Sequence, residues 1–131
     1  HNSMYNTPNC YCIYMCGKVF KWLKKTGGLE AVKKRNEEKA AILYHYLDHS
    51  SLFRGTVERE SRSLMNVPFI TGNASMDAKF VKEAADCGLV NLKGHRTVGG
   101  MRASIYNAMP KAGVEKLVEF MKKFEEENGH V

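Results

Sequence analysis

Between Lys93 and Ser104 the chain reads Lys-Gly-His-Arg-Thr-Val-Gly-Gly-Met-Arg-Ala-Ser, which sets His95, Arg96 and Arg102 among the glycines Gly94, Gly99 and Gly100. An arginine offers a planar fork of donors that grips a carboxylate or phosphate through two parallel bonds. A histidine adds a further donor, and glycines let the backbone come close or turn through positive φ. The pattern reads as an anion site, the alternative being a flexible basic turn. One arginine for each of two anionic groups suits recognition of a doubly anionic small molecule. It does not spell out chemistry. Ser104 and His95 are the nearby nucleophile and base candidates, and no acid partner is written to orient them, so no catalytic residue is assigned.

Two other places deserve weighing. Asn6-Thr7-Pro8 puts donors just ahead of a helix start, a favourable place for a phosphate; the same residues read equally well as a plain N-cap supplied by Thr7. His45 and His49 share a helix face at a usable metal-ligand spacing, but Tyr46 and Asp48 stand where the two zinc-enzyme motifs need glutamate. No metal site is expected there. Cys10, Cys12, Cys16 and Cys87 form no CxxC pair, so neither a zinc ribbon nor a thioredoxin-type motif is written. They read as reduced, Cys12 and Cys16 packing as small apolar groups, with the cytoplasm as the default compartment.

The elements that must hold these residues are legible from periodicity. In 131 residues with 44% hydrophobic and 26% charged side chains, one soluble domain is expected, with no apolar run long enough to span a bilayer. The chain opens on His1, so residues 1–7 are expected to be an extended connection from a longer reading frame. A net charge of +6 raises a nucleic-acid reading. Against it, lysines face acids at helical spacing, as in Glu30 with Lys34 and Glu119 with Lys123, and no aromatic-lined basic groove is present. Lys18, Lys21 and Lys25 make an unpaired stripe suited to an acidic surface on another domain or subunit.

After an extended Ser3–Thr7, a helix is predicted from Pro8 to Thr26 with Cys12, Ile13, Cys16, Val19, Phe20 and Leu23 inward. A second follows from Leu29 to His49, its face marked by Leu29, Val32, Asn36, Ala40, Leu43 and Leu47, with Asn36 expected to make a polar contact. Strands are expected over 52–55, 64–70, 89–93 and 101–106. Helices are expected from a Ser75 cap through Cys87, with Met76, Phe80, Ala84 and Cys87 inward, and from Lys111 to Glu127. The order ααββαββα implies a two-layer α/β sandwich in which helices cover a small, largely antiparallel sheet.

Five blocks now acquire a collective meaning. Asn6-Thr7-Pro8, Gly17 to Leu23, Gly27 to Ala31, Arg62 to Phe69 and Leu92 to Ala108 resemble, in order and over essentially the whole chain, the C-terminal third of the phosphoserine aminotransferase family. That resemblance implies the small domain of a fold type I, pyridoxal-phosphate-dependent transaminase. Such an enzyme works as a homodimer and moves an amino group between glutamate and 3-phosphohydroxypyruvate to give O-phosphoserine in serine biosynthesis. It implies that Asn6 and Thr7 contact the phosphate of a cofactor held mainly by the neighbouring subunit. Arg102 would hold the substrate α-carboxylate, and His95 with Arg96 the substrate phosphate or the glutamate side-chain carboxylate.

The lysine that carries the cofactor and the aspartate that faces its pyridine nitrogen belong, in the family, to the large domain preceding this segment. The 131 residues alone are therefore expected to be inactive. Asn9-Cys10 and Thr97 are small departures from the family pattern. The competing expectation is a stand-alone, non-catalytic module that binds small anions or joins subunits.

Overall fold

The computed structural model describes residues 2 and 4–129, and these divide into two units, His1–Lys34 and Arg35–Val131. In the first unit, helix α1 (Cys10–Lys25) starts behind Asn9. The Asn9 side-chain oxygen accepts the Cys12 N–H at 3.1 Å, and its carbonyl accepts that of Ile13 at 3.1 Å. The cap is therefore Asn9 and not Thr7, and the helix begins two residues later than Pro8, in keeping with asparagine's stronger capping preference. The backbone bends at Tyr5 and Asn6, so the expected extended run does not hold there; Ser3 lies outside the described residues. Lys24 and Lys25 in the last turn complement the helix dipole.

The apolar period of α1 is present, yet none of its residues is buried. Tyr11, Ile13, Tyr14 and Phe20 are each at least 60% exposed. Cys12 and Cys16 are exposed as well, against the expectation that they pack. Periodicity located the face; it carries no information on what covers it.

Helix α2 (Gly28–His49) runs into the second unit, where it is followed by strand β1 (Arg54–Gly55), strand β2 (Asn66–Ile70), helix α3 (Ala74–Asp86), strand β3 (Met101–Ser104) and helix α4 (Lys111–Asn128). The strands pair antiparallel in the order β1-β2-β3, with Asn66 opposite Ser104 and Pro68 opposite Arg102. Strand alternation sends Val67, Phe69, Met101 and Ala103 into the core, while Asn66, Pro68, Arg102 and Ser104 share the other face. Ala40, Leu43 and Leu47 of α2, Phe80 and Ala84 of α3 and Val114, Leu117, Met121 and Phe124 of α4 complete that core. At its centre Phe80 meets Phe53 and Phe124 edge-on, with ring centroids 5.0 and 5.2 Å apart. The second unit is thus helices on one face of a small antiparallel sheet, the two-layer arrangement expected.

Several boundaries differ, each for a local reason. Residues 89–93 make no strand. Beyond one bridge from Lys93 to Met101 and the Arg102 N–H to Leu92 carbonyl bond at 2.8 Å, Asn91 takes φ 63° and turns the chain out of the ladder. The order becomes ααββαβα. Strand β1 is short because the N–H groups of Leu52 and Phe53 are taken by side chains, Ser50 Oγ at 3.2 and 2.8 Å and Glu125 Oε1 at 3.0 Å. Cys87 is exposed at the end of α3, its N–H returning to the Glu83 and Ala84 carbonyls.

Helix α3 starts on Asn73 in place of Ser75. The Asn73 side-chain oxygen accepts the N–H groups of Ser75 and Met76 at 2.9 and 3.3 Å. Asn73→Ala is expected to lower stability by about 1 kcal/mol. A denaturant titration checks this, through a lower midpoint at unchanged slope.

Candidate anion-binding site

Residues 94–100 form a closed loop immediately before β3. Its neck is the Gly94 N–H to Gly100 carbonyl bond at 2.9 Å, and its tip is turned by the N–H groups of Val98 and Gly99 on the His95 carbonyl, at 3.0 and 2.8 Å. The glycines are required at the neck. A Cβ on Gly94 would collide with the Gly99 carbonyl oxygen, and Gly100, at φ 63°, lies against the Ile70 side chain. This close approach is what a turn tied directly into a strand demands.

His95 and Arg96 are both exposed on that loop. The Thr97 hydroxyl oxygen lies 2.7 Å from His95 Nδ1, and the Thr97 N–H approaches the same nitrogen at 3.3 Å. His95 is thus an exposed imidazole whose ring is held by its own loop.

Arg102 stands differently. It is half-buried on β3, and its Nε is buried with no hydrogen-bond partner. It lines a cavity of about 830 Å³ whose wall also carries Lys93, Asn91 and Lys116 and includes no carboxylate. Lys116 Nζ donates to the Cys87 carbonyl at 3.3 Å. An unsatisfied guanidinium N–H beside two further cations, without a neutralising acid, is chemically suited to an anion. His95 and Arg96 do not line this cavity. The three predicted residues thus share one loop-strand segment, but the cavity gathers Arg102 with two lysines that sequence spacing did not single out. Lys116 lies on α4, far from the loop in sequence, and only the fold brings it near.

On the same sheet face, Ser104 Oγ donates to the Asn66 side-chain oxygen at 3.2 Å, and Asn66 Nδ2 donates to the Tyr106 hydroxyl at 3.0 Å. These residues brace the strand pair beside Arg102. In the first unit, Asn6 and Thr7 are exposed and stand outside the Asn9 cap. Their donor groups precede a helix N-terminus, where an anion is favoured.

Other charged clusters serve the fold. His49 Nδ1 donates to the His45 carbonyl at 2.7 Å, and among the described residues no group of three or more His, Cys, Asp or Glu is placed to hold a metal. Asp48 accepts a two-pronged bond from Arg62, whose guanidinium lies 4.5 Å from the Tyr44 ring centroid; the Arg62 hydrogen bond holds the Asp48 carboxyl below its usual value. No described helix is long and apolar enough to cross a membrane.

The class-V aminotransferase family matches residues 1–117. The phosphoserine aminotransferase of Haemophilus influenzae is 59% identical over 127 residues, covering 97% of this chain and 35% of that protein. Among solved structures, the phosphoserine aminotransferase of Bacillus circulans subsp. alkalophilus superposes with a TM-score of 0.90 at 46% identity, over 96% of this chain and 35% of that one. The pyridoxal-phosphate-bound enzyme of Trichomonas vaginalis does so with a TM-score of 0.84 at 42% identity, over 92% and 35%. The chain spans about a third of the length of the relatives it matches.

Proposed function

The chain belongs to the class-V aminotransferase family, and on that premise we propose that it is the C-terminal small domain of a phosphoserine aminotransferase, transferring an amino group between glutamate and 3-phosphohydroxypyruvate to give O-phosphoserine. The observation that carries this reading is Arg102, a half-buried guanidinium with an unpartnered Nε in a cationic cavity, within a chain 59% identical to such an enzyme.

Arg102 receives the substrate α-carboxylate. The exposed donors of His95 and Arg96 receive the second anionic group, a phosphate from one substrate and a carboxylate from the other, so that a single pair of cationic poles serves both half-reactions. Asn6 and Thr7 fit a cofactor phosphate, since the helix cap is made by Asn9 and leaves both exposed. Pyridoxal phosphate, when bound, supplies the electron sink that lets the amino group move. The lysine and aspartate that hold it come from the preceding large domain, and the cofactor is shared with a second subunit. The exposed apolar residues of α1 and the Lys18, Lys21, Lys25 stripe fit burial against those partners. A cytoplasmic setting agrees with four free, exposed thiols.

The test compares the 131-residue chain with the full-length gene product, both supplied with pyridoxal phosphate, glutamate and 3-phosphohydroxypyruvate. The full-length protein is expected to form 2-oxoglutarate, and the 131-residue chain to remain at the rate of free cofactor. A full-length protein without this activity sinks the reading in favour of a non-catalytic anion-binding or subunit-joining module. Turnover by the short chain alone would refute its dependence on the large domain.

A further inference from the structure

Lys39 is a lysine that is only 3% exposed, and it has no carboxylate among its hydrogen-bond partners. Its ammonium donates to three backbone carbonyls, those of Ile105 at 3.1 Å, Tyr106 at 2.7 Å and Met109 at 3.0 Å. One helical turn earlier, Asn36 Nδ2 donates to the Asn107 side-chain oxygen at 2.7 Å. Burying a cation is costly unless its donors are satisfied, and here all three ammonium protons are. The acceptors lie 66 to 70 residues away in sequence, in the turn that follows the Arg102 strand. A methionine or leucine would fill the same space without the desolvation cost, so packing alone does not account for a lysine here.

The gripped turn is also cavity wall. Ile105 and Met109 line the cavity that Arg102 lines, and Tyr106 takes the hydrogen bond from Asn66 across the sheet. We propose that Lys39 is a positioning residue for substrate recognition: by gathering the carbonyls of Ile105, Tyr106 and Met109 it fixes the wall beside Arg102 at the distance a bound carboxylate requires. Resting on the transaminase reading above, the inference adds to it a residue on α2 that touches no substrate. Without the clamp, the turn relaxes away from α2, the sheet and Arg102 remain, and the cavity loses its fixed width.

The experiment uses the full-length holoenzyme with Lys39→Met and Lys39→Arg. For Lys39→Met, KM for glutamate is expected to rise at least about fivefold while kcat changes by less than about threefold, because a displaced wall weakens binding more than the chemical step. Lys39→Arg, which keeps the charge and the donors, is expected to recover part of that loss. Unchanged KM in a folded Lys39→Met protein, or equal falls in kcat for both variants at constant KM, would overturn the proposal. Failure of both variants to fold would assign Lys39 to folding alone and overturn it as well. A wild-type protein with no transaminase activity would instead remove the reading on which the inference rests.

Discussion

Replacing Arg102 by alanine in the full-length protein is expected to lower kcat/KM for glutamate at least about 30-fold, a loss of roughly 2 kcal/mol or more, because the charge-assisted two-pronged contact proposed for the substrate carboxylate would be lost. The effect should be functional with little cost in stability. Arg102 Nε has no partner within the fold, and the strand is secured by its backbone ladder to β2. Arg102→Lys keeps the charge and loses the planar fork, so it is expected to fall between wild type and alanine. Steady-state kinetics with glutamate and O-phosphoserine, alongside a denaturant titration, check both halves. Unchanged kinetics in the alanine variant would place the carboxylate contact elsewhere and favour a joining module over a substrate site.

Arg102 was reachable from sequence, because it stands in a segment rich in cations and glycines. Glycines spaced among His95, Arg96 and Arg102 announce a turn that brings cations close to backbone, and the fold supplies the turn: Gly94 bonds Gly100, and β3 follows at once. The aliphatic and aromatic positions of the last helix were legible for the same reason, since Val114, Leu117, Val118, Met121 and Phe124 follow a helical period and all are buried. What failed were features decided by competition between neighbours. Thr7, Asn9, Ser75 and Asn73 are all acceptable caps, and which one wins depends on backbone angles that composition does not encode. Residues 89–93 have strand-like apolar content, yet the positive φ at Asn91 ends the ladder after one bridge.

Lys39 illustrates a deeper limit. On a helix face it reads as one more solvated lysine among many, and only a contact across at least 66 residues shows that it is buried. Lys116 joins the Arg102 cavity by the same kind of long-range placement. Helix α1 is the converse case. Its apolar period was legible, yet none of its residues is buried, because periodicity locates a face without saying what covers it.

Glu125 is the second residue whose loss should be large. It sits on α4, and its carboxylate receives the Tyr46 hydroxyl at 2.5 Å, the Ser50 hydroxyl at 2.9 Å, the Ser51 hydroxyl and N–H at 2.7 and 2.6 Å, and the Leu52 N–H at 3.0 Å. One side chain thus closes the end of α2, and the link that follows it, onto the last helix. Burial pushes the Glu125 carboxyl up, but the bonds from Tyr46, Ser51 and Ser50 outweigh it and bring its pKa down to about 2. Burial, together with the same contact, raises the Tyr46 hydroxyl above its ordinary value. Glu125→Ala is expected to cost about 2–3 kcal/mol, since it removes at once the acceptor shared by the hydroxyl of the buried Tyr46, the Ser50 and Ser51 hydroxyls and the Ser51 and Leu52 N–H groups.

The pH dependence has a definite sign. The carboxyl titrates near 4.5 when unfolded and near 2 when folded, so the unfolded chain binds the proton more readily. The stabilisation is complete above about 4.5 and drains away as the pH falls towards about 2. Glu125→Gln, which retains an acceptor oxygen but cannot titrate, should be less stable than wild type at neutral pH, and the gap should close across that acidic window. Urea unfolding midpoints of both proteins over the acidic range measure it. A gap that stayed constant with pH would show that the carboxylate's charge contributes nothing to holding α4 against the end of α2.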